Sequence, residues 1–152
     1  MKTPLSKNFT LEEMTFSQTA SNRGLSITPS TEVTSNLKFH CTEVLQPIRD
    51  LLKCPIVVTS GYRPEWLNTA IGGSKNSQHM TGHATDFQLL NSKYSLLEAC
   101  ELIEKSKIPY DQLIHEFGKW IHVSSARPPR LETMSAYVDP ITTQVKYINE
   151  WR

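Results

Sequence analysis

Apolar residues in the first third of the chain recur at helical spacing. Val33, Leu37, Cys41, Val44, Leu45, Ile48, Leu51 and Leu52 form a stripe that predicts one long helix from about Thr31 to Leu52. Pro47 sits inside it and is expected to kink it, because it has no N–H and crowds the preceding turn. A shorter helix is expected from Thr10, where Thr10 and Glu13 have capping-box spacing and Phe9 with Met14 fits a hydrophobic staple. A polar loop should follow to about Pro29. Pro64 to Ile71 reads as a short helix with Pro in its first turn. Ser95 and Glu98 form a second capping box, opening a helix with Leu96, Leu97, Cys100 and Ile103 on one face.

Period-two and β-branched runs supply the strands. Ile56–Thr59 is bounded by Pro55 and Gly61, and Ala84–Leu89 follows a glycine-containing loop. Gln112–Phe117 and Trp120–Ser124 are joined at Gly118-Lys119, which suits a two-residue hairpin loop. Tyr137 to Tyr147 is expected to form two edge strands around Asp139-Pro140. Helices at the front and strands through the rest predict an α+β fold in a single domain, residues 1–152.

Composition narrows the function. The 152 residues carry 16 basic and 15 acidic side chains, a net charge of +1, so charge gives no support for a nucleic-acid partner. No apolar run approaches the roughly 18 residues of a membrane span, and no membrane partner is expected. The opening MKTPLSKNFTLEE lacks the apolar stretch of a secretory signal, so no signal peptide is expected. Cys41, Cys54 and Cys100 are an odd set without a CxxC pair and are expected to be buried free thiols.

Four of the five histidines lie between positions 79 and 122. Strand alternation puts Ala84, Asp86 and Gln88 on one face and Thr85, Phe87 and Leu89 on the other, toward the core. The same rule puts Trp120, His122 and Ser124 opposite Ile121 and Val123. An acid beside an apolar core is costly unless it is paired or metal-bound. His79, Asp86 and His122 would leave a fourth position open, the pattern of a catalytic rather than a structural zinc. Hydrogen-bonded histidines without metal are the ordinary alternative. The facial triad of iron oxygenases is another, although its acid usually lies two residues from a histidine and here the separation is seven. His83 is expected at the rim, His115 as a partly exposed strand residue, and His40 has no assigned role. Ser60-Gly61-Tyr62-Arg63-Pro64 should form a tight corner that holds Arg63 at a cleft edge, as a carboxylate clamp or in a surface salt bridge.

These residues resemble the zinc D-Ala-D-Ala carboxypeptidases and phage peptidoglycan endopeptidases of the M15 peptidase family. The Ser-x-His-x-x-Gly-x-Ala-x-Asp pattern stands here as Ser77, His79, Gly82, Ala84 and Asp86, followed by Trp120 and His122. Ser60 to Arg63, Leu67-Asn68 and Gly72-Gly73-Ser74 match flanking motifs. Asn8-Phe9-Thr10 and Leu37…Leu45-Gln46-Pro47-Ile48-Arg49 are similar to the phage-type subfamily, and the likeness covers about residues 8–125. It implies the hedgehog/DD-peptidase-like fold, a small antiparallel sheet carrying the metal with helices packed against it.

The resemblance also implies zinc on His79, Asp86 and His122, Arg63 gripping a substrate carboxylate or carbonyl, and Ser77 contacting substrate. Trp120 could wall the cleft or serve packing. Many members carry an acid three residues before the second histidine ligand, where this chain has Lys119. Hedgehog-type relatives place it near the position of Glu116, which is therefore expected to be the catalytic acid/base. The implied activity is hydrolysis of peptide bonds in peptidoglycan stems, as a D-Ala-D-Ala carboxypeptidase or an endopeptidase, by a monomer. A phage lysis or virion enzyme made in the host cytoplasm and acting on the cell wall is expected, with a bacterial origin and another export route as the alternative. A non-catalytic hedgehog-like zinc domain that binds a partner is the alternative.

Overall fold

A computed structural model describes residues 1–152. Three stretches of helix and one six-stranded sheet dominate it. Helix α1 (Leu11–Thr15) opens on the expected capping box, with the Thr10 hydroxyl accepting from the Glu13 N–H. Helix α2 (Gln18–Asn22) stands where a loop was expected. Its apolar content is only Ala20, so no periodicity announces it. The Ser17 hydroxyl accepts the Ala20 N–H and stabilises the turn locally.

The predicted long helix is α3 (Thr31–His40) and α4 (Gln46–Leu52), joined through a π-helical turn at Cys41–Leu45. The disturbance expected at Pro47 takes the form of this widened turn. Pro47 has no N–H to offer the carbonyl four residues back, and the Gln46 N–H donates instead to Cys41, five residues back. Helix α5 (Glu65–Ala70) follows Pro64, and α6 (Leu96–Lys105) opens on the Ser95–Glu98 capping box.

The strands are β1 (Ile56–Ser60), β2 (Ala84–Leu89), β3 (Gln112–Glu116), β4 (Trp120–Ser124), β5 (Glu132–Val138) and β6 (Val145–Ile148), in the order β1-β2-β4-β3-β5-β6. The β3–β4 connection is Phe117-Gly118-Lys119 rather than two residues, with Phe117 (φ 59°) and Gly118 (φ 65°) both left-handed. All neighbours are antiparallel except β3 and β5. The sheet is therefore mixed where a small antiparallel one was expected. Strand β2 already occupies the other edge of β4, so the returning chain passes over β3 and pairs on its free edge. A strand antiparallel to β4 is then parallel to β3.

Strand β5 also begins earlier than the expected tail strands, at Glu132, because its Glu-Thr-Met-Ser start carries no apolar alternation. The two strands do flank the Asp139-Pro140 turn. The Asp139 carboxylate accepts the Ile141 and Thr142 N–H groups and pairs with Lys146 at 2.8 Å.

Helices α3, α4 and α6 cover one face of the sheet. Leu37, Leu45, Ile48, Cys100 and Ile103 meet Phe87, Leu113, Ile121 and Val123 in one buried cluster. All three cysteines are free and buried, and burial pushes the Cys41 thiol up to about 12. His40, without a role in the sequence, is fully buried under this layer. Its ring nitrogens meet the Ser125 hydroxyl at 3.0 Å and the Thr85 hydroxyl at 2.8 Å. No helix is long and apolar enough to cross a membrane.

Candidate metal centre and cleft

The opposite face of the sheet carries the polar constellation. Antiparallel register pairs Ser60 with Asp86 on β1–β2 and Asp86 with His122 on β2–β4. His79 comes from a 3₁₀ turn, Gln78–Thr81, just before β2. The Ser77 hydroxyl caps that turn by accepting the His79 N–H at 3.2 Å, and Gly82 (φ 81°) ends it. Only glycine adopts that conformation without strain, and an added Cβ would also press on the Val33 carbonyl at 3.0 Å.

The chain from Gly61 to Arg63 is strung between two elements. The Tyr62 N–H donates to the Met14 carbonyl at 2.7 Å, and the Arg63 N–H to the His79 carbonyl at 3.0 Å. Gly61 lies so close to α1 that a Cβ there would be 2.2 Å from the Met14 oxygen. This close approach brings the Gly61 carbonyl to 2.8 Å from His79 Nδ1.

One nitrogen of His79, one of His122 and one oxygen of Asp86 all lie within 4.8 Å of one another. His79 Nε2 is 3.3 Å from Asp86 Oδ1, and His122 Nδ1 is 2.9 Å from the same oxygen. The rings of His79 and His122 meet edge-on, centroids 5.2 Å apart. Since a carbonyl only accepts, His79 Nδ1 carries the hydrogen and Nε2 presents a lone pair toward the carboxylate. Burial, partly opposed by Asp86, lowers the His79 pKa and favours that neutral form. A lone pair facing a carboxylate oxygen needs a cation between them. Two imidazoles, one carboxylate and a backbone carbonyl orienting one ring therefore fit a divalent metal.

Electrostatics around this cluster are strongly perturbed. Burial alone would push the Asp86 carboxyl up, but the His79 and His122 imidazoles override it and hold the acid below the usual carboxylate range. Burial works against charge on His122 too, yet Asp86 and Glu116 outweigh it and raise its pKa. Glu116 Oε1 lies 3.9 Å from His122 Nδ1. Burial, then the Asp86 carboxylate, pushes the Glu116 acid up to about 7. Lys119, at the alternative position, falls in the hairpin loop, and its carbonyl accepts from the Gln88 side chain.

The cluster opens into a cavity of about 790 Å³ that Arg63, Ser77, Glu116 and Trp120 also line. Arg63 Nη2 donates to the Ser77 hydroxyl at 3.3 Å, while its Nε is buried without a partner. Trp120 packs edge-on against Phe117 at 5.4 Å, and its buried indole nitrogen lies near enough to Glu116 to favour that carboxyl's charged form. Arg63 is thus a half-buried cleft residue and not half of a surface salt bridge.

A family model for peptidase M15 matches residues 7–124. The chain belongs to the peptidase M15 family. No curated protein matches the chain. In this M15 chain the matched region includes His79, Asp86, Glu116 and His122. His83, expected at the rim, is half-buried, bonds the Thr81 hydroxyl at 2.8 Å and stands outside the three-donor group. His115, expected to be partly exposed, is buried instead, because Nδ1 meets the Arg152 carbonyl at 2.9 Å under the C-terminal segment.

Sequence reasoning missed the far wall of the cleft. Arg130, Met134 and Tyr147 line it from the segment beyond the matched region. Arg130 donates through Nε (3.0 Å) and Nη2 (2.7 Å) to buried Asp111, which also accepts from Gln78 at 3.0 Å. Strand alternation in Val145–Ile148 was the only available signal for Tyr147, and it does not say which sheet edge the strand joins.

Proposed function

We propose that this M15 chain is a zinc-dependent peptidase that hydrolyses peptide bonds in bacterial peptidoglycan stems. The observation that carries the reading is the convergence of His79, Asp86 and His122 beside the Glu116 carboxyl, inside one cleft. The Ser77-to-Asp86 motif and the Trp120-x-His122 strand support the peptidoglycan substrate through their resemblance to wall-active relatives. The phage-type likeness of the α1 and α3–α4 segments supports a lysis or virion enzyme made in a host cell and acting on its wall.

His79 Nε2, His122 Nδ1 and an Asp86 oxygen would hold the ion. Bound zinc supplies Lewis acidity, which polarises a carbonyl and acidifies water. Glu116 accepts a proton from the attacking water through its carboxylate oxygen. It returns that proton to the amide nitrogen as the C–N bond breaks, so the amine leaves neutral. The same carboxyl group serves in both directions, as base toward the water and as acid toward the leaving nitrogen. Arg63 offers its guanidinium to the peptide carbonyl or a substrate carboxylate and orients the bond to be cut. Ser77 holds the His79 turn and the Arg63 side chain together, and Trp120 closes the cleft beside Glu116.

Mass spectrometry of muropeptides after digestion of purified peptidoglycan tests the reading. New amine termini are expected with the zinc-loaded protein, absent with chelator and restored by added zinc. No cleavage by zinc-loaded protein, or cleavage indifferent to chelator, overturns it.

A further inference from the structure

Strand register sets four residues in one row across the cleft floor. Trp120 on β4 pairs with Glu116 on β3, Glu116 with Ala136 on β5, and Ala136 with Tyr147 on β6. Partners in register share a face of the sheet, so all four lie on the face that carries Asp86 and His122. Ala136 is buried and has the smallest side chain of the row. A methyl at that position leaves room for the Tyr147 ring above it, and Tyr147 lines the same cavity as Glu116 and Trp120.

Strand β6 is an edge strand, and edge strands are ordinarily loose, yet this one is tied at both ends. The Asp139–Lys146 pair closes the hairpin before it. After it, the Trp151 indole donates to Glu104 at 3.0 Å, and the Arg152 N–H donates to the Ser135 hydroxyl at 2.9 Å. The Arg152 guanidinium also lies 4.0 Å from the centre of the Tyr137 ring. Tyr147 is therefore presented at a defined place, half-exposed and facing the cleft.

Arg63 and Tyr147 stand at opposite ends of this floor, since Arg63 follows β1 and β6 is the other edge. We propose that Tyr147 is a specificity-determining residue: its ring and hydroxyl hold the part of a peptide that extends past Glu116, away from Arg63. The inference rests on the peptidase reading and adds a recognition site outside the family-matched region. Burial, then the Glu116 and Asp86 charges, raise the phenol pKa, and a phenol is in any case a hydrogen-bond donor at neutral pH. From β2 to β6 the floor spans four strand intervals, roughly 19 Å, or about five to six residues of extended peptide. A dipeptide cut at the metal covers roughly 7 Å, about half of the three strand intervals from β4 to the β6 backbone.

The test compares a stem pentapeptide with its C-terminal dipeptide. Binding is measured by calorimetry to zinc-loaded Glu116→Gln protein, in which turnover is slowed by about 100-fold or more, with and without Tyr147→Ala. A Tyr147→Thr variant, which keeps β propensity, repeats the comparison. Loss of the ring should weaken the pentapeptide by about tenfold and leave the dipeptide within about twofold, at unchanged zinc content. Equal weakening of both peptides, no weakening, or no pentapeptide binding at all overturns the inference. Hydrolysis by the unmodified protein is read separately. Cleavage without length-selective loss sinks the role of Tyr147 and leaves the peptidase reading standing. Length-selective binding without cleavage does the reverse.

Discussion

His79 Nδ1 lies 2.8 Å from the carbonyl oxygen of Gly61. This bond decides which nitrogen of His79 carries hydrogen, and so which one faces Asp86. The Gly61 position depends in turn on the absence of a side chain, because its backbone passes against the Met14 carbonyl. The orientation of His79 is thereby tied to the packing of α1 on the end of β1.

Gly61→Ala should separate those two elements. A Cβ 2.2 Å from the Met14 oxygen forces a backbone shift. The expected cost is about 1–3 kcal/mol of stability and about a 10- to 100-fold loss of zinc affinity through the misdirected ring. Chemical denaturation and competitive metal titration measure the two effects. An unchanged zinc affinity would show that the Gly61 carbonyl does not orient His79.

Glu116→Gln should lower kcat by about 100-fold or more. The amide keeps the size of the side chain but cannot accept the proton. Zinc stoichiometry should stay that of the unmodified protein, since the three donors are untouched. A variant that keeps its activity would remove Glu116 from the chemistry.

Ser77→Ala removes the cap on the His79 turn and the bond from Arg63 together. A stability loss of about 1 kcal/mol is expected from the lost cap. Catalysis should fall further than Arg63→Lys alone makes it fall, because both the metal turn and the guanidinium lose their anchor. Thermal unfolding and steady-state kinetics on the two variants and their combination measure the coupling. Strict additivity would place Ser77 and Arg63 in independent roles.

His40 gives the fold a pH dependence of its own. Burial depresses its pKa to about 3, while the unfolded chain protonates it near 6.5. The unfolded state therefore binds more protons below that value. The stabilising contribution of neutral His40 is complete above about pH 6.5 and is lost as pH falls toward 3, with a slope of up to about 1.4 kcal/mol per pH unit. His40→Gln, which cannot titrate, should unfold at lower denaturant at pH 7 and show a flatter decline in acid. Parallel curves for the two proteins would assign the acid sensitivity elsewhere.

Helices α3, α4 and α6 and strands β1 to β4 were legible because their evidence is local: apolar spacing, capping boxes and turn residues act within a few positions. Strand alternation put Asp86 and His122 on the face away from the core, but spacing left a metal site with His79 as one reading among others, and the M15 resemblance selected it. The residues around them were not legible. Helix α2 has no apolar period, and His115 looked exposed because the segment that buries it lies 37 residues away.

What the amino-acid order determined by itself was the elements with a clear apolar period or capping box, and the chemical character of the donors. The tertiary structure alone decided that β5 runs parallel to β3, that Gly61 orients His79, and that Arg130 and Tyr147 complete the cleft. Each of these depends on which strand edge is free and how closely two backbones approach. Such choices are settled by long-range packing and register, which no local window of sequence contains.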